Sequence, residues 1–371
     1  MNDQISTFLG TRVEANDFPS AVYLVAERGE VKLTGAVGDA VVEPETISAD
    51  AGTIYDLASL TKPLVTGLLA AMLIDRGVLV PDTRIATLLN EFEIVGKRTI
   101  TVRDLLTHTS HLPAWKPLYL FVSDPIDVLA EIAATDLEFG ENGVLYSDLN
   151  FIVLAKLIER ITEKGLDQLA AEEIFGPLGL RLTDFNPPRA WQRQIAASEL
   201  GNVYEKQTCI ERGDLDPVDA GKHFRDYQIW GEVHDGNAWF MGGVAGHAGL
   251  FSTVEEVAKI AWQFLPAHSS LLKSSTCDLF RTNFTAKTNE DRSFAFQLAS
   301  TPGSTAGELM SLEGFGHTGF TGTSLWIDPL RERVFVLLTN RTHHHDLPFI
   351  NINSVRRRFH DLGNEHLDRN F

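Results

Sequence analysis

The chain has 371 residues with 32 Lys+Arg against 50 Asp+Glu, a net charge of −18 at pH 7 with histidine neutral. A pI near 5.1 and the lack of any basic patch make nucleic acid and anionic membrane surfaces poor partners. With 44% hydrophobic and 22% charged residues the composition is that of an ordinary globular protein, long enough for about two domains.

The first segments read as strands: 21–26 and 30–35 flank Arg28-Gly29 as a hairpin. Leu64, Val65, Leu68, Leu69, Met72 and Leu73 then recur on one face of a helix that Gly77 can end. A second amphipathic helix is expected over 151–161. Residues 190–245 carry Trp191, Trp230 and Trp239, many charges and little periodicity, and read as long loops over a cleft. Four glycines between Gly242 and Gly249 precede a helix expected to start near Thr253. Near the C-terminus, 323–327 and 334–339 flank Asp328-Pro329 as another hairpin, so both termini can share one sheet. The run 64–74 is too short to cross a bilayer, and MNDQISTFLG lacks the basic start and apolar stretch of a signal peptide. The expectation is a cytoplasmic protein, or a periplasmic one if a leader has been removed. Cys209 and Cys277 are too few for a disulfide scaffold and read as buried thiols.

Ser59-Leu60-Thr61-Lys62 is a Ser-x-x-Lys motif, of which a chain this long holds about one by chance. Ser270-Leu271-Leu272-Lys273 matches the same pattern without other signals and serves as a control. Ser59 opens the long helix, and at i and i+3 its hydroxyl and the Lys62 amine project to one side. Pro63 fits a first turn, leaving the Ser59 amide free at a positive dipole end, where an oxyanion donor would sit. Tyr146-Ser147-Asp148 precedes the second helix. Tyrosine is a weak base near neutral pH, yet beside a lysine ammonium a phenolate is favoured, and a Lys–Tyr pair can share one mobile proton. His317-Thr318-Gly319 begins the C-terminal strand region, where a glycine lets a substrate approach an edge strand.

These three motifs, on a helix start, a loop-to-helix junction and a strand, resemble the serine β-lactamase and penicillin-binding-protein superfamily, and in particular class C β-lactamase-related serine hydrolases. Three further stretches are similar to that family: residues 101–110, residues 174–180 and Gly246-His247-Ala248-Gly249-Leu250-Phe251-Ser252-Thr253. The likeness spans roughly residues 18–361. It implies an α+β fold in which an antiparallel sheet from 1–60 and 300–371 is flanked by helices. A mainly helical insertion, 61–299, would complete the cleft. It also implies an acyl-enzyme mechanism without cofactor or metal on a small-molecule or peptide-like ester, amide or β-lactam. Ser59 would be the nucleophile, Lys62 its proton partner and Tyr146 the general base. The Ser59 and Phe320 amides would form the oxyanion hole, with Asp148, His317, Thr318 and Gly319 contacting substrate.

Two departures stand out. Asp148 replaces the Asn of Tyr-x-Asn and would hold Lys62 as an ammonium, which shifts weight to Tyr146 as base. His317 replaces the Lys of Lys-Thr-Gly, and being mostly neutral near pH 7 it favours substrates without a carboxylate there, unless a neighbour such as Asp148 keeps it charged. A second reading is a ligand-binding or regulatory relative whose turnover these changes have weakened. The run His343-His344-His345-Asp346 reads as a solvated loop rather than a metal site, while His234, Asp235, Asn237 and His247 are candidates for the pocket lining. His108 and Thr109 are expected to fix a loop.

Overall fold

The computed structural model describes residues 3–139, 143–216 and 223–369. β1 (Ser20–Glu27) and β2 (Glu30–Val41) form the first hairpin, turning through Arg28 and Gly29 at φ 51° and 80°. Two consecutive left-handed residues match the twist of paired strands, and glycine takes the second without steric cost. Ile47–Ser48 (β3) pairs with β2, while Tyr55–Asp56 (β4), Asp184–Phe185 (β5) and Leu250–Ser252 (β6) make a small sheet of order β4-β6-β5. Gln297–Leu298 (β7), Phe315–Thr318 (β8), Ser324–Asp328 (β9) and Arg333–Thr339 (β10) complete the large sheet, β3-β2-β1-β10-β9-β8-β7. The two ends of the chain meet at its centre, where β1 and β10 run antiparallel from Ala21 opposite Thr339 to Glu27 opposite Arg333.

Both faces of this sheet are covered at its centre, so β1 and β10 are buried along their whole length and mostly apolar, while β2 is largely exposed or half-buried. Ala21, Tyr23 and Val25 face a core closed by the terminal helices Gln4–Glu14 and Asn353–Arg369, through Ile5, Leu9, Phe359 and Leu362. Val22, Leu24 and Ala26 face the larger core, which takes in the helix Val254–Ala261 and the apolar faces of 64–73 and 149–158. The period of two sorts one strand between two cores.

The expected helix after Ser59 starts as a 3-10 turn, Ala58–Leu60, widens into π turns over Lys62–Gly67 and settles into α-helix at Leu68–Asp75. The stretch Ala58–Asp75 is apolar and long enough to cross a membrane, but 83% of it is buried inside the protein, as in a core helix. The second expected helix is Asp148–Thr162, and Thr253 caps Val254–Ala261 by accepting from the Glu256 amide.

The region 190–245 departs from expectation. It contains a ten-residue helix, Val203–Arg212, as well as loops. Tyr204, Glu205, Thr208 and Arg212 on that helix all line the central cavity. Its inward face is polar, so the hydrophobic spacing that marks an ordinary core helix is missing.

Candidate active site

A cavity of about 770 Å³ lies where β8, the Ser59 turn, Tyr146 and the helix Val203–Arg212 converge, and Ser59, Tyr146, Asp148, His317, Thr318, Gly319 and Phe320 all line it. Three distant stretches of sequence are thus brought to one place. Ser59 sits just after Ala58, whose φ of 47° is a left-handed conformation costly for a residue with a Cβ. The Asp56 carboxylate holds this turn by accepting from the Ala58 amide at 2.8 Å, and its other oxygen accepts from the His234 amide at 2.8 Å.

Lys62 is fully buried and its Nζ donates to Ser59 Oγ at 2.8 Å. The same Nζ forms an ion pair with Asp148 Oδ1 at 2.7 Å and approaches the His247 carbonyl at 3.3 Å. Burial by itself would pull the lysine pKa down, but the Asp148 carboxylate and the facing Tyr146 side chain outweigh it and the net shift is upward. Lys62 is therefore an ammonium that donates to Ser59. Asp148, Asp235 and His247 place potential ligand atoms within 4.8 Å of one another; the positive charge at this cluster is the Lys62 ammonium.

Tyr146 lies between two cations, with Lys62 Nζ 4.9 Å and Arg292 Cζ 5.2 Å from its ring centroid. His108 sets its position: its ring packs against that of Tyr146 with centroids 4.6 Å apart and planes tilted by 32°, and His108 Nδ1 accepts from the Ser147 amide at 3.0 Å. Ser147 Oγ donates to the Pro113 carbonyl at 2.6 Å. The loop-fixing role expected of His108 is what the geometry shows.

His317 Nδ1 donates to its neighbour's carbonyl, Thr318 O, at 2.8 Å, which fixes the ring tautomer. Burial, followed by the charges of Lys62 and Arg292, pushes its pKa well below the usual histidine value. Asp148 does not keep His317 charged, because its carboxylate is engaged with Lys62. Besides Lys62, the cation that acts most on His317 is Arg292, which sequence reasoning missed. Its residue is 4% exposed, Nη2 pairs with Glu290 Oε1 at 2.9 Å, and Nε and Nη1 are buried without partners. Arg292 lies in a loop with no motif around it, so only a fold could have pointed to it.

The turn after β8 is docked on the Ser59 turn. Thr321 Oγ1 donates to Asp56 O at 2.8 Å and Thr323 Oγ1 to Leu57 O at 3.0 Å. A Cβ on Gly319 would lie 2.6 Å from Leu57 O, so only glycine permits this approach. The Ser59 and Phe320 amides are thereby held in one rigid unit.

Of the other candidates, His234 and Asp235 line the cavity, and His247 is buried behind it, with Nε2 at 2.9 Å from Asp235 Oδ1. Asn237 is a strut that accepts from Leu118 N and donates to Lys116 O, both at 2.8 Å. His343 is not solvated as expected: it is fully buried, its Nε2 accepting from Val42 N at 2.9 Å and its Nδ1 donating to Ser198 O at 2.8 Å. With both ring nitrogens so used, it is a structural residue. The control motif stands apart, with Ser270 Oγ 3.3 Å from Gln263 Oε1 and an exposed Lys273 donating to Asp75 O at 2.7 Å.

A Ser-x-x-Lys helix start, a tyrosine facing the lysine and a docked His-Thr-Gly strand end are gathered around one cavity, an arrangement that fits a serine hydrolase. Comparison with known proteins agrees: the chain belongs to the Beta-lactamase family, whose model matches residues 5–354. It is 33% identical to a provisionally named D-alanyl-D-alanine carboxypeptidase of Escherichia coli K12, over 92% of this chain and 82% of that one. A Salmonella typhimurium protein given the same name is 32% identical over 88% and 79%. Among solved structures, EstCE1, a hydrolase with promiscuous acyltransferase activity, superposes with a TM-score of 0.72 at 18% identity, covering 97% of both chains. A β-lactamase from Sulfitobacter sp. EE-36 gives 0.72 at 19% identity over 98% and 97%. These last two establish the fold.

Proposed function

We propose that the protein is a serine peptidase of the D-alanyl-D-alanine carboxypeptidase type, acting through an acyl-enzyme on Ser59. The observation that carries this reading is Lys62 Nζ, buried and within 2.8 Å of Ser59 Oγ, at the floor of a cavity. Ser59 Oγ forms a bond to the substrate carbonyl carbon while its proton passes to Tyr146, which acts as a phenolate flanked by the Lys62 and Arg292 cations, and the negative oxygen is received by the Ser59 and Phe320 amides. Lys62, kept charged by Asp148, orients Oγ and offsets the developing charge. Collapse breaks the C–N bond, with Tyr146 returning the proton to the leaving amine. Water activated by Tyr146 then hydrolyses the ester.

Arg292 supports a leaving group that ends in a carboxylate. Its two unpartnered nitrogens, Nε and Nη1, are buried on a guanidinium that lies against Tyr146, and a buried donor without an acceptor costs stability unless a ligand supplies one. The neutral His317 is a poor carboxylate partner, and Arg292 takes over that task. The names of the enterobacterial relatives point the same way. A charged hydrogen bond of about 1.5–3 kcal/mol corresponds to roughly 10- to 150-fold in affinity. Arg292→Met is expected to raise KM by that order for a peptide ending in D-alanyl-D-alanine while leaving KM for an uncharged activated ester within about twofold. Equal effects on both, or turnover of the ester alone by the wild type, would remove the carboxypeptidase reading and leave an esterase.

A further inference from the structure

The peptide that carries the proposed oxyanion donor is Gly319–Phe320, and the structure shows what holds it. Its carbonyl, Gly319 O, accepts from Arg356 Nη2 at 2.7 Å. The next carbonyl, Phe320 O, accepts from Arg341 Nε at 2.6 Å. Two guanidinium groups on different elements thus grip consecutive carbonyls on either side of one N–H. The remaining contacts fix both arginines: Arg356 donates to Thr323 O at 3.1 Å and to Asn353 Oδ1 at 2.8 Å, and Arg341 donates to Ile350 O at 2.9 Å. Arg341 also covers the Phe320 ring, with Cζ 5.0 Å from the centroid.

Neither arginine has a carboxylate within ion-pair distance among the described residues. Arg356 is only 5% exposed. Burial, and after it the charge of Arg341, pulls its pKa down to about 9. A buried cation without a counter-ion is a cost that folds do not keep without compensation. Phe320 N, in turn, has no hydrogen-bond acceptor among the described residues.

We infer that Arg356 and Arg341 are positioning residues for the oxyanion hole, holding the Gly319–Phe320 and Phe320–Thr321 peptides so that the Phe320 N–H faces the carbonyl under attack. A cation on the carbonyl side of a peptide polarises its N–H toward an acceptor, so the uncompensated charge is also placed to stabilise an oxyanion. The missing counter-ion is then the transient negative oxygen. The inference deepens the serine-hydrolase reading and rests on it.

The test uses the full chain and two substrates, an uncharged activated ester and a peptide ending in D-alanyl-D-alanine. Deleting a whole oxyanion donor costs about 10²–10³ in rate, and loosening one should cost roughly 10- to 100-fold. Arg356→Met and Arg341→Met should each lower kcat by that amount on both substrates with KM within about twofold, and Arg356→Lys, which keeps a charge and a donor, should recover part of the loss. Thermal melting of all three variants separates rate from folding, and if Arg356→Met does not fold, Arg341→Met and Arg356→Lys carry the comparison. An unchanged kcat overturns the inference. So does a loss confined to KM for the carboxylate-bearing peptide, which would make Arg356 part of a ligand subsite. Failure of the serine-hydrolase reading is distinguishable, because the wild type itself would then acylate with neither substrate.

Discussion

Asp148→Asn restores the residue found in the related lactamases and removes the charge that holds Lys62. The carboxylate lies 2.7 Å from Nζ, with the lysine side chain 0% and the aspartate side chain 17% exposed. At an effective dielectric constant of about 20, two unit charges at that distance attract by about 6 kcal/mol, most of it offset by desolvation. Removing one partner of a buried pair costs about 3–5 kcal/mol, and Lys62 can limit that cost by releasing its proton. In the wild type the lysine pKa is raised, so its contribution is fully present below the unfolded value and lost only as pH rises through the folded one. In the variant, burial is opposed by Tyr146 without Asp148, the charge that most raises the lysine pKa, and the shift is expected to reverse. Native Lys62 then binds fewer protons than the unfolded chain, and stability rises with pH. The variant should be less stable by about 3 kcal/mol at pH 6, with the deficit narrowing toward pH 9. A neutral Lys62 can also serve as base, and since general-base catalysis is worth about 10²–10⁴, the variant-to-wild-type ratio of acylation rates should climb at least tenfold between pH 6 and 9. Stopped-flow bursts with an activated ester and urea melts at both pH values measure these quantities. Parallel pH profiles with unchanged stability would refute the assignment of Asp148 as the group that keeps Lys62 charged.

Two further outcomes follow from the geometry. Ser270→Ala should leave ester turnover unchanged, since Lys273 is exposed and bound to Asp75, while Ser59→Ala in the same assay should abolish it. Glu205, on the cavity wall, has its pKa pushed up to about 7, chiefly by burial. Between the unfolded carboxyl value of about 4.3 and that pH, the native state binds more protons than the unfolded chain, so stability falls as pH rises. Glu205→Gln should flatten that decline in urea melts compared at pH 5 and pH 8; an unchanged slope would show that Glu205 does not titrate in this window.

The parts of this site that are legible in the sequence are those with fixed local spacing. Ser59 and Lys62 share a helix face, Tyr146 stands two residues before an acid at a helix start, and Gly319 closes a His-Thr-Gly strand end; sequence reasoning assigned that glycine to an approaching substrate, whereas the structure sets it against the Leu57 carbonyl. The hairpins could be read from alternating apolar strands and their turns. What escaped were groups whose task depends on distant chain segments. Arg292, Arg341 and Arg356 are ordinary arginines until the fold gathers them around β8; Arg292 is marked by two nitrogens left unpartnered beside its pair with Glu290, and Arg341 and Arg356 by having no carboxylate at ion-pair distance among the described residues. The helix Val203–Arg212 was hidden because it turns polar residues inward. His343 looked like part of an exposed run, yet its ring bridges Val42 and Ser198, 301 and 145 residues earlier in the chain, contacts that no local pattern encodes.

The central claim is a covalent acyl-enzyme on Ser59, and intact mass followed by peptide mapping tests it most directly. Wild type and Ser59→Ala would be exposed separately to a penicillin and to a small activated ester. The account predicts a penicilloyl mass increment on the wild type alone, mapping to the peptide that contains Ser59, with the carboxylate-bearing penicillin requiring Arg292 for efficient labelling. No adduct with either reagent, or an adduct that persists in Ser59→Ala, would contradict it.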